Sequence, residues 1–328
     1  MKKFFITGIN GFIGSNIAKR LLDEGHQVSG IIRKTSDLKF LDGLDVKLTY
    51  GDITDRDSLA EPLKDVDVVI HVAALASDWG PYDLFYKINV EGTKNVAEVA
   101  AENNVKRFVF ISSTVLHGFQ NKRYQKEDDP LPKTKFPYCE TKKLAEQWLF
   151  DFAKKTDMEI TAIRAGNVFG IKDHTFAEKY LEALEQGKAG YIDGGKHWTC
   201  PVFSENLVDA ILLAAEKPEA VGQAFIITDG YEIDWKTFTD KMADELGVKR
   251  PKLSTPFWLG YAIAGIMEYV YKLVNSKNPP LLTRYRISNG GTDYHFSIEK
   301  ARNILGHEPK VKLDDAIKRT VEWYKNSR

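Results

Sequence analysis

Short apolar runs alternate with amphipathic stretches through the first half of the chain. The runs "FFIT", "QVSGIIR", "VKLTY", "DVVIHVAA", "RFVFISS" and "EITAIRA" have the length and apolar character of strands. Between them, stretches such as Leu84 to Asn103 and Tyr138 to Lys155 repeat apolar positions at helical spacing. Parallel strands need long crossovers, so the alternation predicts an α/β, doubly wound parallel sheet wrapped by helices, with ligands at the carboxyl ends of its strands. After about Gly166 the rhythm changes to short strands, several helices, aromatic clusters and an "NPP" break at Asn278 to Pro280. The pattern predicts a nucleotide domain over residues 1–170 and a smaller, mostly helical substrate lobe over 171–328, interleaved with the last strands of the sheet. No Gly/Ser or Pro-rich linker divides them, so they share a core.

The first strand-to-helix junction carries chemistry. Lys3 to Thr7 is a strand-like run, and from Phe12 to Leu22 the residues Ile13, Ile17, Leu21 and Leu22 fall at helical spacing. Gly8, Gly11 and Gly14 sit at the turn between them. Glycines there allow a tight turn, close backbone approach to a diphosphate and close helix packing, while the helix N-terminus attracts the anion. This reads as a Rossmann-type nucleotide site, although the spacing is G-x-x-G-x-x-G and not the commoner G-x-G-x-x-G. A secretory signal is the competing reading, since Lys2 and Lys3 precede an apolar run. It fails because Gly8, Asn10, Gly11 and Gly14 interrupt that run and Lys19, Arg20, Asp23 and Glu24 occupy the cleavage region.

Composition removes several classes. The 46 Lys and Arg balance 46 Asp and Glu, so no global charge draws nucleic acid or an anionic membrane. Cys139 and Cys200 lack paired-ligand spacing, which fits a cytoplasmic protein without zinc. His71, His117, His174 and His197 have no metal partner at recognised spacing and read as structural. The longest apolar run, Pro256 to Val274, contains Glu268 and Lys272. It predicts a buried or lid helix, not a membrane span, and leaves room for peripheral membrane contact.

Cofactor choice rests on the end of the second strand. An acidic residue there would select a free ribose 2′-hydroxyl, but the chain reads Ile31-Ile32-Arg33-Lys34. Two cations and the hydroxyl of Ser36 suit a 2′-phosphate, which points to NADP(H) over NAD(H). Asp52, after the third strand, is placed either to meet an adenine amino group or to cap a helix.

A second constellation follows the fifth strand. "FISSTVLHG" ends in a Ser-Ser pair, and "PYCETKKLAE" puts Tyr138 and Lys142 four apart on one helix face. A tyrosine becomes a useful base when a neighbouring ammonium and a cationic nicotinamide favour its phenolate. Lys142 could supply that field and Ser113 could hold the substrate oxygen. The pair alone means little; the order of glycine turn, strand-end Arg, Ser-Ser and Tyr-Lys carries the weight.

In these ordered motifs the chain resembles the extended short-chain dehydrogenase/reductase superfamily. "IRKTSDLKFLDGLDVKLTYGDITD", "HVAALASDWGPYDLFYKINVEGT" and "PYCETKKLAE" are most similar to its 3β-hydroxysteroid dehydrogenase and dihydroflavonol reductase branch. The resemblance implies a diphosphate turn at Gly8, Asn10, Gly11, Phe12, Ile13 and Gly14, a 2′-phosphate contact at Arg33 and Lys34, and an adenine contact at Asp52 and Ile53. It implies a groove wall at His71, Ala73 and Ala74, and a strand end beside the nicotinamide at Ala165, Asn167 and Val168. Ala165 replaces the usual Pro there, and Ile171 follows where Pro is common. Ser113, with Thr114 as the fallback one register on, matches the active-site Ser/Thr. Tyr138 and Lys142 match the catalytic pair, and Asn89 an Asn near the site. A homodimer through the helices carrying Asn89 and Tyr138 is implied in the same way.

The leading reading is therefore an NADP(H)-dependent enzyme interconverting an alcohol and a ketone on an apolar or weakly polar small molecule. Resembling nucleotide-sugar epimerases place an Arg shortly before the "VFSENLVDA" segment, where this chain has Lys196, His197 and Trp198. His197 and Trp198, with Trp79 facing the 256–274 helix, are candidate substrate contacts. The alternatives are a nucleotide-sugar epimerase or dehydratase, and a non-catalytic NADP sensor, against which the intact Ser-Tyr-Lys set argues.

Overall fold

The computed structural model describes residues 1–327. Six of its sheet strands fall on the six apolar runs: β1 Lys3–Thr7, β2 Gln27–Ile32, β3 Lys47–Tyr50, β4 Val68–His71, β5 Arg107–Ser113 and β6 Glu159–Ala165. A seventh, β7 Ala224–Ile227, returns from the C-terminal half to pair in parallel with β6. The order is β7-β6-β5-β4-β1-β2-β3, all parallel. Chain direction across the sheet therefore switches between β1 and β4, which opens a crevice at their carboxyl ends.

One sheet face is covered by α1 Phe12–Asp23 and the later helix Ser204–Glu216, whose Ile17, Leu21, Leu207 and Ile211 are fully buried. The other is covered by α2 Gly92–Glu102 and α3 Pro137–Ala153 through Val96, Ala97, Ala100, Ala145 and Leu149. A π-helical turn, Tyr86–Glu91, precedes α2 and contains Asn89. Such single wide turns often mark functional positions.

The C-terminal half carries α4 Ala177–Glu185, α5 Ser204–Glu216 on the sheet, α6 Trp235–Leu246, α7 Phe257–Leu273, α8 Arg284–Gly290 and α9 Leu313–Asn326. Leu181, Phe238, Met242, Ile317 and Val321 form a buried cluster separate from those of the sheet. Of the two expectations for 256–274, a buried helix or a lid, the first is overturned. Only Gly260, Ala264 and Glu268 of α7 are buried, a narrow i, i+4, i+8 stripe, while Trp258 is 70% and Tyr269 64% exposed. The charge that seemed out of place in it is the one the protein covers: Glu268 accepts from the backbone and guanidinium of Arg284 at 2.7 Å. Among the described residues no helix is long and apolar enough to cross a membrane.

Candidate active site

The glycine turn forms a cradle that side chains would fill. Gly8 has φ +68°, and a Cβ at Gly14 would lie 2.2 Å from the Gly8 carbonyl oxygen, inside any real contact. A Cβ on Gly8 would approach the Ala73 amide to 3.0 Å. Strand, helix and the loop after β4 thus converge as bare backbone. Helix α1 starts at Phe12 behind Gly11 with no side-chain cap, so the first-turn amides of Phe12, Ile13 and Gly14 are available to a diphosphate. The cradle fits a dinucleotide on these grounds. Asn10 fastens the turn outward by donating to the Asp37 carbonyl at 3.1 Å.

His71 buttresses this wall. Its ring nitrogens meet Thr7 Oγ1 at 2.7 Å and Thr93 Oγ1 at 2.9 Å, and Thr7 Oγ1 also accepts from the amides of Val72 and Ala73. Burial, then the charge of Lys142, pushes its pKa down to about 3, so it is neutral at ordinary pH. Ala74 follows on the same half-buried loop.

At the far end of the crevice Arg33 and Lys34 are exposed and make no ion pair among the described residues. The turn is held by the Arg33 amide donating to Ser36 Oγ at 3.0 Å. Asp52 uses one carboxylate oxygen to accept from the amide and hydroxyl of Thr54, a local turn and not a helix cap, since the short helix Arg56–Leu59 starts behind Asp55. Ile53 is buried, and its carbonyl accepts from Asn95 at 2.9 Å.

The reactive cluster sits where β5 ends and α3 begins. Ser113 and Thr114 both reach the Ala165 carbonyl, at 3.4 and 3.3 Å. The Ser113 hydroxyl lies close enough to Tyr138 to favour its phenolate, without a hydrogen bond between the two side chains among the described residues. Thr114 is instead engaged by the Tyr294 hydroxyl at 2.8 Å and is almost fully buried. Ala165 ends β6 as regular strand, so the missing Pro leaves the acceptor in place.

Lys142 donates to the Ile111 carbonyl at 2.6 Å and lies 4.3 Å over the Phe110 ring. Burial pushes its pKa down to about 7, opposed by Glu146. Tyr138 behaves differently from the expectation that Lys142 lowers its pKa. Burial, with Cys139 next, raises it, and only the Ser113 hydroxyl opposes. The ammonium points to a backbone carbonyl, which leaves desolvation of the phenolate dominant. Asn89 is wholly used in positioning: it accepts from the Leu75 amide at 2.7 Å and donates to the Leu75 carbonyl and Thr141 hydroxyl. It pins the loop after β4 to α3.

The candidate substrate residues divide. Trp79 faces α7 as expected, its indole donating to the Ser276 carbonyl at 3.0 Å with its ring edge-on to Tyr271. Asn167 reaches Thr199 at 3.0 Å and Asn289 at 3.4 Å, and Val168 pairs with Val202 beside it. His197 lies between Asp193 and Asp293, and Trp198 is covered by the Arg123 guanidinium at 4.0 Å. These contacts hold His197 and Trp198 between the segment around Arg123 and residues 193–295, with none of them to Ser113 or Tyr138.

Sequence reasoning missed an aromatic wall of Phe119, Phe136 and Tyr285, with ring centroids 5.1 to 5.7 Å apart. It also missed the clip that holds α8 there. Asp78, beside Trp79, accepts from the Thr283 hydroxyl at 2.6 Å and pairs with Arg286 at 2.7 Å. Residues some two hundred positions apart carry no local signal of meeting.

Over residues 4–228 the chain matches the NAD dependent epimerase/dehydratase family. It is 30% identical to the mouse sterol-4-alpha-carboxylate 3-dehydrogenase, decarboxylating, over 100% of this chain and 92% of that protein. It is 27% identical to the 2-alkyl-3-oxoalkanoate reductase of Stenotrophomonas maltophilia, over 97% of this chain and 98% of the relative. Its fold superposes on the UDP-glucose 4-epimerase of Thermotoga maritima, solved with UDP-glucose, with a TM-score of 0.81 at 22% identity and 99% coverage of both chains. With a family match across most of its length, and a sterol dehydrogenase aligned along all of it, the chain belongs to the extended short-chain dehydrogenases/reductases and is an NAD(P)-dependent oxidoreductase.

Proposed function

We propose that the protein uses NADP(H) to interconvert a secondary alcohol and a ketone on a largely apolar small molecule. The observation that carries the reading is the placement of Ser113, the last residue of β5, beside Tyr138 in the first turn of α3, with Lys142 one turn further along the same helix. In the reductive direction Tyr138 gives its hydroxyl proton to the carbonyl oxygen while Ser113 donates a second hydrogen bond to that oxygen. A nicotinamide, when bound, supplies or accepts hydride at the carbon. Lys142 orients the nicotinamide ribose and, when charged, offsets the cost of a phenolate.

Relatives narrow the substrate. One is named for a 4-carboxylate beside a reacting position 3, the other for a 3-oxo acid. A 3-hydroxy or 3-oxo acid with an apolar skeleton is the substrate class they favour for this chain. Assaying NADPH-dependent reduction of steroid, flavonoid and long-chain keto compounds beside UDP-glucose epimerisation tests it. Turnover of the sugar nucleotide with none of the ketones would overturn it.

Arg33 and Lys34 support NADP(H) as the cofactor. A charge-assisted contact to a 2′-phosphate should favour NADPH over NADH by roughly 1 to 3 kcal/mol. Fluorescence titration of both nucleotides measures the preference, and Arg33→Asp should reverse it. Equal affinities in the wild type would refute the assignment.

We also infer that the outer face of α7 rests on an anionic membrane surface. Between Lys249 and Thr283 the only acidic residue is Glu268, buried against Arg284, whereas Lys252, Lys272 and Lys277 are exposed around Trp258, Ile266, Tyr269 and Leu273. Such a cation-rimmed apolar helix suits a lipid interface. The homodimer inferred by resemblance would use the helices carrying Asn89 and Tyr138, where Tyr82 and Leu84 are exposed, and not the outer face of α7. Flotation with phosphatidylserine vesicles, weakened by Ile266→Glu, is the expected result. Failure to float, with a dimer that Ile266→Glu splits, would place a second copy on α7 instead.

A further inference from the structure

Helix α8 is fixed on several sides. Thr283 caps it by accepting from the Arg286 amide and donates to Asp78, Arg286 pairs with the same carboxylate, and Arg284 pairs with Glu268 of α7. At its other end Asn289 accepts from Asn167 Nδ2 at 3.4 Å and from the Trp235 indole at 3.0 Å. What this framework holds in place is Tyr285. Its ring packs edge-on against Phe119 at 5.1 Å and Phe136 at 5.5 Å. Phe136 is the residue from which α3 starts, two before Tyr138, and Phe119 closes the turn that follows Ser113. The ring therefore lies against both segments that carry the reacting pair.

The hydroxyls of the neighbouring tyrosines are spoken for. Tyr294 donates to Thr114 at 2.8 Å, and in the lobe Tyr180 meets Thr239 and Tyr191 meets Asp240. The half-buried Tyr285 hydroxyl has no hydrogen-bond partner among the described residues. The hydroxyl is not sealed off from solvent, so it is free to donate to a ligand that enters beside the reactive pair. Burial first, then Cys139, Tyr138 and Asp78, holds its pKa well above the ordinary value, which keeps the proton on. It is a neutral donor in a place where the nearby cations of α8 are already paired.

We propose that Tyr285 is a substrate-positioning residue whose hydroxyl donates to a second oxygen of the substrate, that of a carboxyl group attached to the carbon next to the reacting one. This rests on the alcohol–ketone reading above and adds what selects the substrate within that class. The second oxygen is held by a hydrogen bond and not by an ion pair.

Tyr285→Phe keeps the ring packing and removes only the donor. With NADP+ and a long-chain 3-hydroxy acid, KM should rise about tenfold while kcat stays near the wild-type value. For the matching secondary alcohol without the carboxyl, both constants should be unchanged. An equal change for the two substrates, or none for either, would overturn the proposal. Should the wild type oxidise neither, the alcohol–ketone reading fails, and fluorescence titration of the acid onto NADP+-loaded protein then decides the residue. Weaker binding by the variant upholds the hydrogen bond; identical titrations refute it.

Discussion

Tyr138→Phe should lower kcat by a factor of about 10² to 10⁴ while leaving NADPH affinity near the wild-type value. The substitution deletes one hydroxyl from a ring that stays packed, and that hydroxyl, beside Ser113, is the proposed proton donor. Lys142→Met should also lose activity, but with an opposite effect on stability. A buried ammonium satisfied by one carbonyl and an aromatic face is costly to hold, and its pKa of about 7 against an ordinary 10.5 records that cost. The folded state disfavours the charged form, so the penalty is full below about pH 7 and is relieved as pH rises toward 10.5. The nucleotide-free Met variant should therefore melt above the wild type, most clearly below pH 7, with the gap narrowing in alkali. Unimpaired turnover by Tyr138→Phe, measured as NADPH oxidation, would remove that residue from the chemistry.

Local periodicity made the sheet legible because its parallel strands, buried except for the edge strand β3, are near-continuous apolar runs, which little else in a polar chain imitates. The glycine turn was legible for the same reason of necessity: at Gly14 no side chain fits. β7 went unnamed because "AFII" is a short apolar run in a stretch already rich in helices, and periodicity cannot tell such a run from a buried helix turn. The buried alternative for helix α7 failed because hydropathy records how apolar a segment is and not whether anything covers it. The aromatic wall was invisible for a different reason. Phe119, Phe136 and Tyr285 meet only after the lobe folds back across the crevice, and the clip that brings them together joins Asp78 to Thr283 and Arg286. Fields inside the site were equally hidden. Spacing put Lys142 on the face of Tyr138, but its rotamer and the Ile111 carbonyl decide where the charge points.

The largest loss of stability should come from a pair no motif announced. Arg164 on β6 and Glu146 on α3 are buried together, with Nη2 to Oε1 at 2.6 Å and Nε to Oε1 at 3.0 Å. The remaining donors of Arg164 serve the Glu127 carbonyl at 2.7 Å and His117 Nε2 at 3.1 Å. Burial, then Arg164 itself, pushes the His117 pKa down to about 3, so its ring is neutral and can accept. Glu127 in turn accepts from the Ile226 amide of β7. One guanidinium thus joins α3, β6, β7 and the turn after Ser113, two helical turns beyond Tyr138. Glu146→Leu would leave a buried cation without its counter-charge, at a cost of about 3 to 5 kcal/mol. Replacing both partners, Glu146→Leu with Arg164→Met, removes the orphan charge and should recover most of that loss. Urea unfolding of the two single variants and the double variant measures it. A single-variant loss below about 1 kcal/mol would mean that water reaches the guanidinium and the pair holds nothing together.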